Sequence, residues 1–212
     1  HIDTYIMTGD HAITAKAIAE EINLGAGKEI LVYTSKELED LSDKELQKIM
    51  RENSSLIFSR VSPEDKLRIV KNLKEQDKIV AVTGDGVNDA PALKSAHVGV
   101  AMGIMGTDVS KEAAELILLD DSYPTLVHAI REGRVIYNNL KKTVLATLTS
   151  NGAELAIVLF GLLGSTILGW PIPILAIQIL AIDLLAEILP LTALTFDPGS
   201  KKLMVTPPRD QD

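Results

Sequence analysis

The chain has 212 residues, of which 24% are charged and 46% are hydrophobic, and its formal net charge is −8. This composition argues against disorder, which requires few apolar residues, and disfavours nucleic-acid binding, which requires a basic surface. The absence of cysteine excludes disulfides, thiolate metal sites and a cysteine nucleophile. The four histidines are far apart and show no metal-ligand spacing.

The first 120 residues alternate short apolar runs with helical patterns. Strands are predicted at Thr4–Met7, Leu56–Phe58, Ile79–Val82 and Val98–Ala101, and helices at about 11–22, 35–52, 63–76, 89–95 and 108–116. This alternation predicts βαβ units and a mostly parallel sheet with helices on both faces. The clearest helix start is Ser62–Asp65, and the charged segment 35–52 predicts one or two surface helices.

The charge is unevenly distributed, because Glu154, Asp183 and Glu187 are the only charged residues from Thr143 to Phe196. A bilayer crossing needs roughly 20 apolar residues, so this stretch predicts transmembrane helices at 143–168 and 173–196 with an extracytoplasmic turn at 169–172. Basic residues flank both spans but are absent from the turn: Arg131, Arg134, Lys141, Lys142, Lys201, Lys202 and Arg209. The positive-inside rule then places both ends in the cytoplasm. The alternative is a very apolar core hairpin of a soluble protein.

No helix stop precedes the first span, so one helix is predicted from near Ser122 to Leu168, about 70 Å long. The domain prediction is a cytoplasmic α/β domain at 1–121, a stalk helix at 122–142, the two spans and a cytoplasmic tail at 197–212. The chain begins with His1, shows no signal peptide and enters almost directly on a strand pattern. We therefore expect it to be a piece of a longer protein.

The three acids of the spans are costly, since each charged carboxylate at mid-bilayer costs at least about 2.5 kcal/mol. Asp183 and Glu187 lie four residues apart on one face, and Asn151 shares a face with Glu154. Pro190 removes a backbone donor and frees the carbonyl of Ala186. Oxygen ligands at one depth predict a site for a hard cation or a proton. The alternative is protonated carboxyls that bond between helices.

Two polar motifs follow predicted strands, where parallel sheets bind ligands. In Thr83–Pro91, Asp85 and Asp89 lie four residues apart beside glycines and can hold Mg²⁺. Thr8, Gly9 and Asp10 offer a hydroxyl and an amide to a phosphoryl oxygen, although this motif alone is often a simple turn. Lys66 lies in a first helical turn, where a cation is disfavoured unless an anion is near. The glycine-rich segment Met102–Gly106 is interpreted as a turn.

Taken in order, Thr8–Asp10, Arg60–Lys66 and Thr83–Pro91 resemble the later motifs of the P-type cation ATPases. The likeness continues through Thr107–Asp121 and both spans, which look like the fifth and sixth transmembrane helices of calcium and sodium/potassium pumps. The resemblance implies a haloacid-dehalogenase-like Rossmannoid parallel sheet, incomplete here, followed by a stalk helix and a transmembrane hairpin. A heavy-metal pump is disfavoured, because its Cys-Pro-Cys type motif needs cysteine.

The resemblance also implies roles. Asp85 would bind Mg²⁺ with Asp89 and Asn88 shaping the site, while Lys66 would neutralise phosphate charge. Thr8 and Gly9 would contact the phosphoryl group, and Asp10 would support their loop. Asn151, Glu154, Asp183 and Glu187 would bind the transported cation, Ca²⁺ or Na⁺/K⁺, with H⁺ exchange also compatible. ATP would be the substrate, bound mainly by a nucleotide-binding domain that the chain lacks.

The family's phosphorylated aspartate, in an Asp-Lys-Thr-Gly-Thr motif, is absent from the sequence. Aspartyl-phosphate chemistry needs that nucleophile, so we expect the chain alone to be inactive. The expected partners are the lipid bilayer, the transported cation and the remaining domains and helices of the pump, and the expected location is multi-pass in the cell membrane. The alternatives are a membrane-tethered phosphatase of the dehalogenase type and a truncated, regulatory or inert membrane subunit.

Overall fold

The computed structural model describes residues 2–25, 30–171, 174–200 and 202–207. They belong to two compact units, one reaching Leu126 and the other running from Val127 to Pro207. The first unit contains, in chain order, β1 Thr4–Thr8, α1 Ala12–Glu21, β2 Leu31–Thr34, α2 Ser35–Asp40, α3 Asp43–Glu52, β3 Ser55–Ser59, α4 Pro63–Lys74, β4 Ala81–Gly84, the 3-10 turn Val87–Asp89, α5 Ala90–Ser95, β5 Val98–Met102, α6 Asp108–Ala113 and β6 Leu116–Leu118.

All strand pairs of the described residues are parallel, which confirms the predicted α/β class. The strands form two three-stranded sheets with the orders β1-β3-β2 and β4-β5-β6. Thr8 lies opposite Ser59, and Gly84 lies opposite Ala101. Each sheet therefore brings the carboxyl ends of its strands, and the loops that follow them, to one edge.

Helices cover both faces of the first sheet, as the alternation predicts. On β3, Leu56 and Phe58 are fully buried in a core shared with α3 and α4. Ile57 points to the opposite face and is buried against Ala15 and Ala19 of α1. This strand is therefore apolar on both faces, as central strands of parallel sheets are.

The segment 35–52 forms two helices, which agrees with the prediction of one or two, because Ser42 starts the second one with a capping box to Glu45. Other element predictions were wrong in detail. The helix predicted over 108–116 ends at Ala113, and Leu116–Leu118 pairs with β5 as a strand. The strand β2 was not predicted. The strand β4 is shifted toward Gly84, because Thr83 and Gly84 continue the pairing with β5.

Two long apolar helices follow. The helix α7, Tyr123–Leu168, has 46 residues, which confirms the uninterrupted long helix, and its length is about 69 Å. The return segment consists of α8 Ala176–Ile182, the π-helical turn Asp183–Glu187 and α9 Ile188–Thr195. Both α7 and the segment Ala176–Thr195 are long and apolar enough to cross a membrane. The predicted domain boundaries remain predictions, and residues 172, 173, 201 and 209 of the predicted turn and basic flanks lie outside the described residues.

Candidate functional site

The loop after β1 is held against the loop after β3. The carbonyl of Thr8 accepts a hydrogen bond from the Val61 amide, and the carbonyl of Asp10 accepts one from the Arg60 amide, both at 3.1 Å. The Thr8 hydroxyl accepts from the Asp10 amide, also at 3.1 Å. Arg60 has a φ of +55°, a left-handed conformation that is uncommon for a residue other than glycine. These contacts place Thr8, Gly9 and Asp10 directly beside the start of α4.

Lys66 projects from the first turn of α4 and pairs with Asp89. The Lys66 Nζ lies 2.6 Å from Asp89 Oδ1, and the two side chains are only 15% and 13% exposed. The other carboxylate oxygen, Asp89 Oδ2, accepts from the amides of Asp85 at 3.3 Å and Gly86 at 3.1 Å. Asp89 therefore both binds the lysine and folds the loop that follows β4.

The start of α4 is itself strongly fixed. Ser62 caps the helix in a reciprocal box with Asp65, and the hydroxyl of Ser35 donates to Asp65 Oδ2 at 2.6 Å. Partial burial raises the pKa of Asp65, but the hydrogen bonds from Ser35 and Ser62 outweigh it and hold the pKa below its usual range. The position of Lys66 thus follows from a cap that the sequence signals clearly.

The backbone of Asp85 is fixed by two residues to which the sequence analysis assigned no role. Its carbonyl accepts from the Thr107 amide at 2.9 Å and from the hydroxyl of the fully buried Ser110 at 3.0 Å. The side chains of Asp85 and Asn88 are exposed at this edge. Carboxylate and amide oxygens that face solvent beside a fixed backbone are donors that fit Mg²⁺.

The glycine-rich segment begins at Met102, the last residue of β5, and continues as the loop Gly103–Gly106, as expected. The carboxylate of Asp121 accepts from the amides of Gly103 at 2.6 Å, Ile104 at 3.0 Å and Met105 at 2.7 Å. These amides are occupied by a side chain of the chain itself, which favours the interpretation as a structural turn.

In the second unit, the three acids of the apolar helices come together. Carboxylate oxygens of Glu154, Asp183 and Glu187 all lie within 4.8 Å of one another, a set we call the carboxylate cluster. Glu154 Oε1 and Asp183 Oδ1 are buried without a hydrogen-bond partner among the described residues. Three convergent carboxylates, two of them with an unsatisfied oxygen, are donors that fit a hard cation.

Other expected ligands are placed differently. Asn151 is exposed, whereas the adjacent Ser150, which sequence reasoning missed, donates a hydrogen bond to Glu187. The signal was available, because Ser150 lies four residues before Glu154 and so shares its face. Asp183 and Glu187 bound the π-helical turn that precedes Pro190, and the amide of Ile188 donates to the carbonyl of Asp183. Such turns frequently occur at functional sites.

Comparison with known proteins covers both units. Residues 1–97 match the family model described as haloacid dehalogenase-like hydrolase, and residues 171–212 match the one described as cation transporting ATPase, C-terminus. The chain is 46% identical to a calcium-transporting ATPase of Bacillus subtilis (strain 168), over 98% of this chain and 23% of that protein. It is homologous to the P-type cation ATPases over essentially its whole length.

Two further relatives are named for the transport of other ions. The chain is 42% identical to potassium-transporting ATPase alpha chain 2 of Oryctolagus cuniculus, over 98% of the chain and 21% of that protein. It is 40% identical to sodium/potassium-transporting ATPase subunit alpha-4 of Homo sapiens, over 99% and 22% respectively. The chain thus spans about a fifth of the length of these P-type ATPases, and its likeness extends across calcium and sodium/potassium types, as the sequence motifs indicate.

Proposed function

We propose that the chain is part of an ATP-driven cation pump, in which formation of an aspartyl phosphate is coupled to movement of a cation across a membrane. The observation that carries the proposal is the carboxylate cluster. Carboxylate oxygens of three acids from two apolar helices lie within 4.8 Å of one another. The same chain carries the Lys66–Asp89 ion pair beside the phosphate motifs. Ionisable residues are costly to place in an apolar segment, and their presence there is typical of an ion pathway.

Asp85 and Asn88, in the loop beside the Lys66–Asp89 ion pair, would hold Mg²⁺. Bound there, the ion would neutralise charge on phosphoryl oxygens. The engagement of both Asp89 oxygens favours a role for Asp89 in shaping this loop and positioning Lys66, whose ammonium would face the phosphate. Thr8 and Gly9 would contact the phosphoryl group, and Asp10 would support them.

The nucleophile has to come from another part of the pump. Among the described residues, β1 pairs with β3 alone and β4 with β5 alone, so each sheet has an open edge at a strand that precedes a phosphate motif. We place the strand bearing the phosphorylated aspartate between β1 and β4. The chain alone would then neither form the phosphoenzyme nor hydrolyse ATP, which other domains of the pump would mainly bind.

Ca²⁺ or Na⁺/K⁺ is the proposed cargo. Glu154, Asp183 and Glu187 would be its ligands, with Ser150 holding Glu187, and Asn151 would join only after its exposed side chain turns inward. The ends of the chain would lie in the cytoplasm, since basic residues flank the two apolar helices.

The test uses the full-length pump that contains this chain, reconstituted in vesicles. ATP-dependent uptake of radioactive Ca²⁺ and Na⁺ is measured for wild type and for the triple variant Glu154→Gln, Asp183→Asn, Glu187→Gln. We expect the triple variant to lose uptake, whereas Glu132→Gln, an exposed acid elsewhere on α7, retains it. Transport by the triple variant at the wild-type rate would refute the proposal.

A further inference from the structure

Three side chains of α7 in the second unit contact the last residue of α9 and the segment that follows it. The side-chain amide of Asn139 donates to the carbonyls of Thr195, at 3.2 Å, and Asp197, at 2.8 Å. Arg134 Nη1 donates to the carbonyls of Leu203, at 2.8 Å, and Thr206, at 3.0 Å. Lys142 pairs with the Asp197 carboxylate. We call Arg134, Asn139 and Lys142 the carbonyl clamp.

The contacts of Asn139 provide hydrogen-bond donors for carbonyls at the end of α9. The last carbonyls of a helix have no partner within it, and a cation near that end is favourable. Asn139 is only 4% exposed and uses its amide nitrogen on two carbonyls there, while Lys142 brings a positive charge. The carbonyl clamp thus caps α9 from a neighbouring helix rather than from its own sequence.

Two apolar residues close to the carbonyl clamp are also buried. Val135 and Leu203 are both 8% exposed, although most residues of the two long apolar helices are exposed. A Cβ added to Gly199 would overlap the Val135 side chain, so the chain after α9 approaches α7 closely at this point.

We propose that Asn139 is a positioning residue for the carboxylate cluster. It fixes how far α9 is displaced along α7, and so brings Asp183 and Glu187 to the depth of Glu154. Asn139 lies 15 residues before Glu154, about 22 Å along the helix. A slip of one helical turn, about 5.4 Å, would exceed the 4.8 Å within which the cluster oxygens meet.

This inference rests on the proposed function, so its test again uses the full-length pump. Two quantities are measured: the Ca²⁺ or Na⁺ concentration that half-maximally activates phosphorylation from ATP, and the phosphoenzyme formed from inorganic phosphate and Mg²⁺ without that cation. For Asn139→Ala we expect the half-activating concentration to rise about fivefold or more, a typical coupling between distant sites, with phosphorylation from phosphate unchanged. Asn139→Gln, which keeps the amide donors, should recover most of the affinity.

The neighbouring exposed Asn138 supplies the matched control, and Asn138→Ala should leave both quantities unchanged. Arg134→Ala, compared with Arg131→Ala, provides a second variant of the carbonyl clamp. An unaltered cation dependence in Asn139→Ala and Arg134→Ala would overturn the inference, as would a parallel loss of both quantities, which indicates a general folding defect. A wild-type pump without cation-activated phosphorylation would instead overturn the proposed function, and this inference with it.

Discussion

Lys66 and Asp89 form an ion pair, with Nζ and Oδ1 2.6 Å apart, that joins the helix following β3 to the loop following β4. Because both side chains are largely buried, each charge depends on the other for compensation. The pair therefore links the two three-stranded sheets at the edge that carries the phosphate motifs. Lys66 and Asp89, which look like separate ligands in the sequence, are therefore parts of one connected structure.

Removing one member of this pair should be strongly destabilising. Asp89→Asn leaves the Lys66 charge buried without a partner, so we expect the free energy of unfolding of the first unit to fall by about 3–5 kcal/mol. Lys71→Met, an exposed position on the same helix, should change it little. Urea titration with peptide-resolved hydrogen exchange measures both. A loss below about 1 kcal/mol, as at surface pairs, would contradict the burial argument.

Gly84 is required by the close approach of Asp89. A Cβ added to Gly84 would lie 2.5 Å from the Cβ of Asp89, so Gly84→Ala must displace the side chain that binds Lys66. We expect a loss of about 1–3 kcal/mol in the free energy of unfolding, the usual cost of overpacking. Gly133→Ala is the matched control, because nothing lies within 4 Å of its added Cβ. Equal thermal midpoints for the two variants would contradict this prediction.

Much of this architecture is readable from the sequence because its signals are local. The cap at Ser62 and the unbroken run into the first apolar span predicted the start of α4 and the long helix α7. The two missed strands have weaker signals: Leu31–Thr34 follows a glycine-containing segment, and Leu116–Leu118 directly follows a helical pattern. Their strand identity depends on pairing with β3 and β5, which are distant in sequence.

The candidate sites were likewise predictable from local sequence signals, whereas their longer-range contacts were not. The motif spacing identified the candidate site residues, and the helical period placed Asp183 and Glu187 on one face. The spacing did not reveal that Asp89 uses one oxygen for Lys66 and the other for the amides of its own loop. Nor did it reveal the contacts of Ser110, Asp121 or Asn139, because their partners are backbone groups that carry no sequence signature.

Asp121 should make the stability of the first unit depend on pH. The amides of Ile104, Met105 and Gly103 hold the pKa of its carboxyl below the usual range. A lowered folded-state pKa means that the stabilisation is present above the unfolded pKa, near 3.9, and is lost as pH falls through the folded value. Relative to the intrinsic exchange rates at each pH, we expect exchange of the amides at 103–105 to become faster below about pH 4 in wild type. In Asp121→Asn it should be fast already at neutral pH, whereas Glu39→Gln, an exposed acid on α2, should keep the wild-type profile.

Ser150 should tune cation affinity through Glu187. Its hydroxyl donates a hydrogen bond to the Glu187 carboxylate, whereas the hydroxyl of the adjacent Thr149 bonds to the carbonyl of Leu145 within its own helix. Hydrogen bonds to charged groups contribute about 1.5–3 kcal/mol, so Ser150→Ala should raise the half-activating cation concentration of the full-length pump about tenfold or more. Thr149→Ala should leave it unchanged, since it removes a hydroxyl of the same depth that does not touch the carboxylate cluster. Equal cation affinity in the two variants would show that Glu187 is held in place by the helices alone.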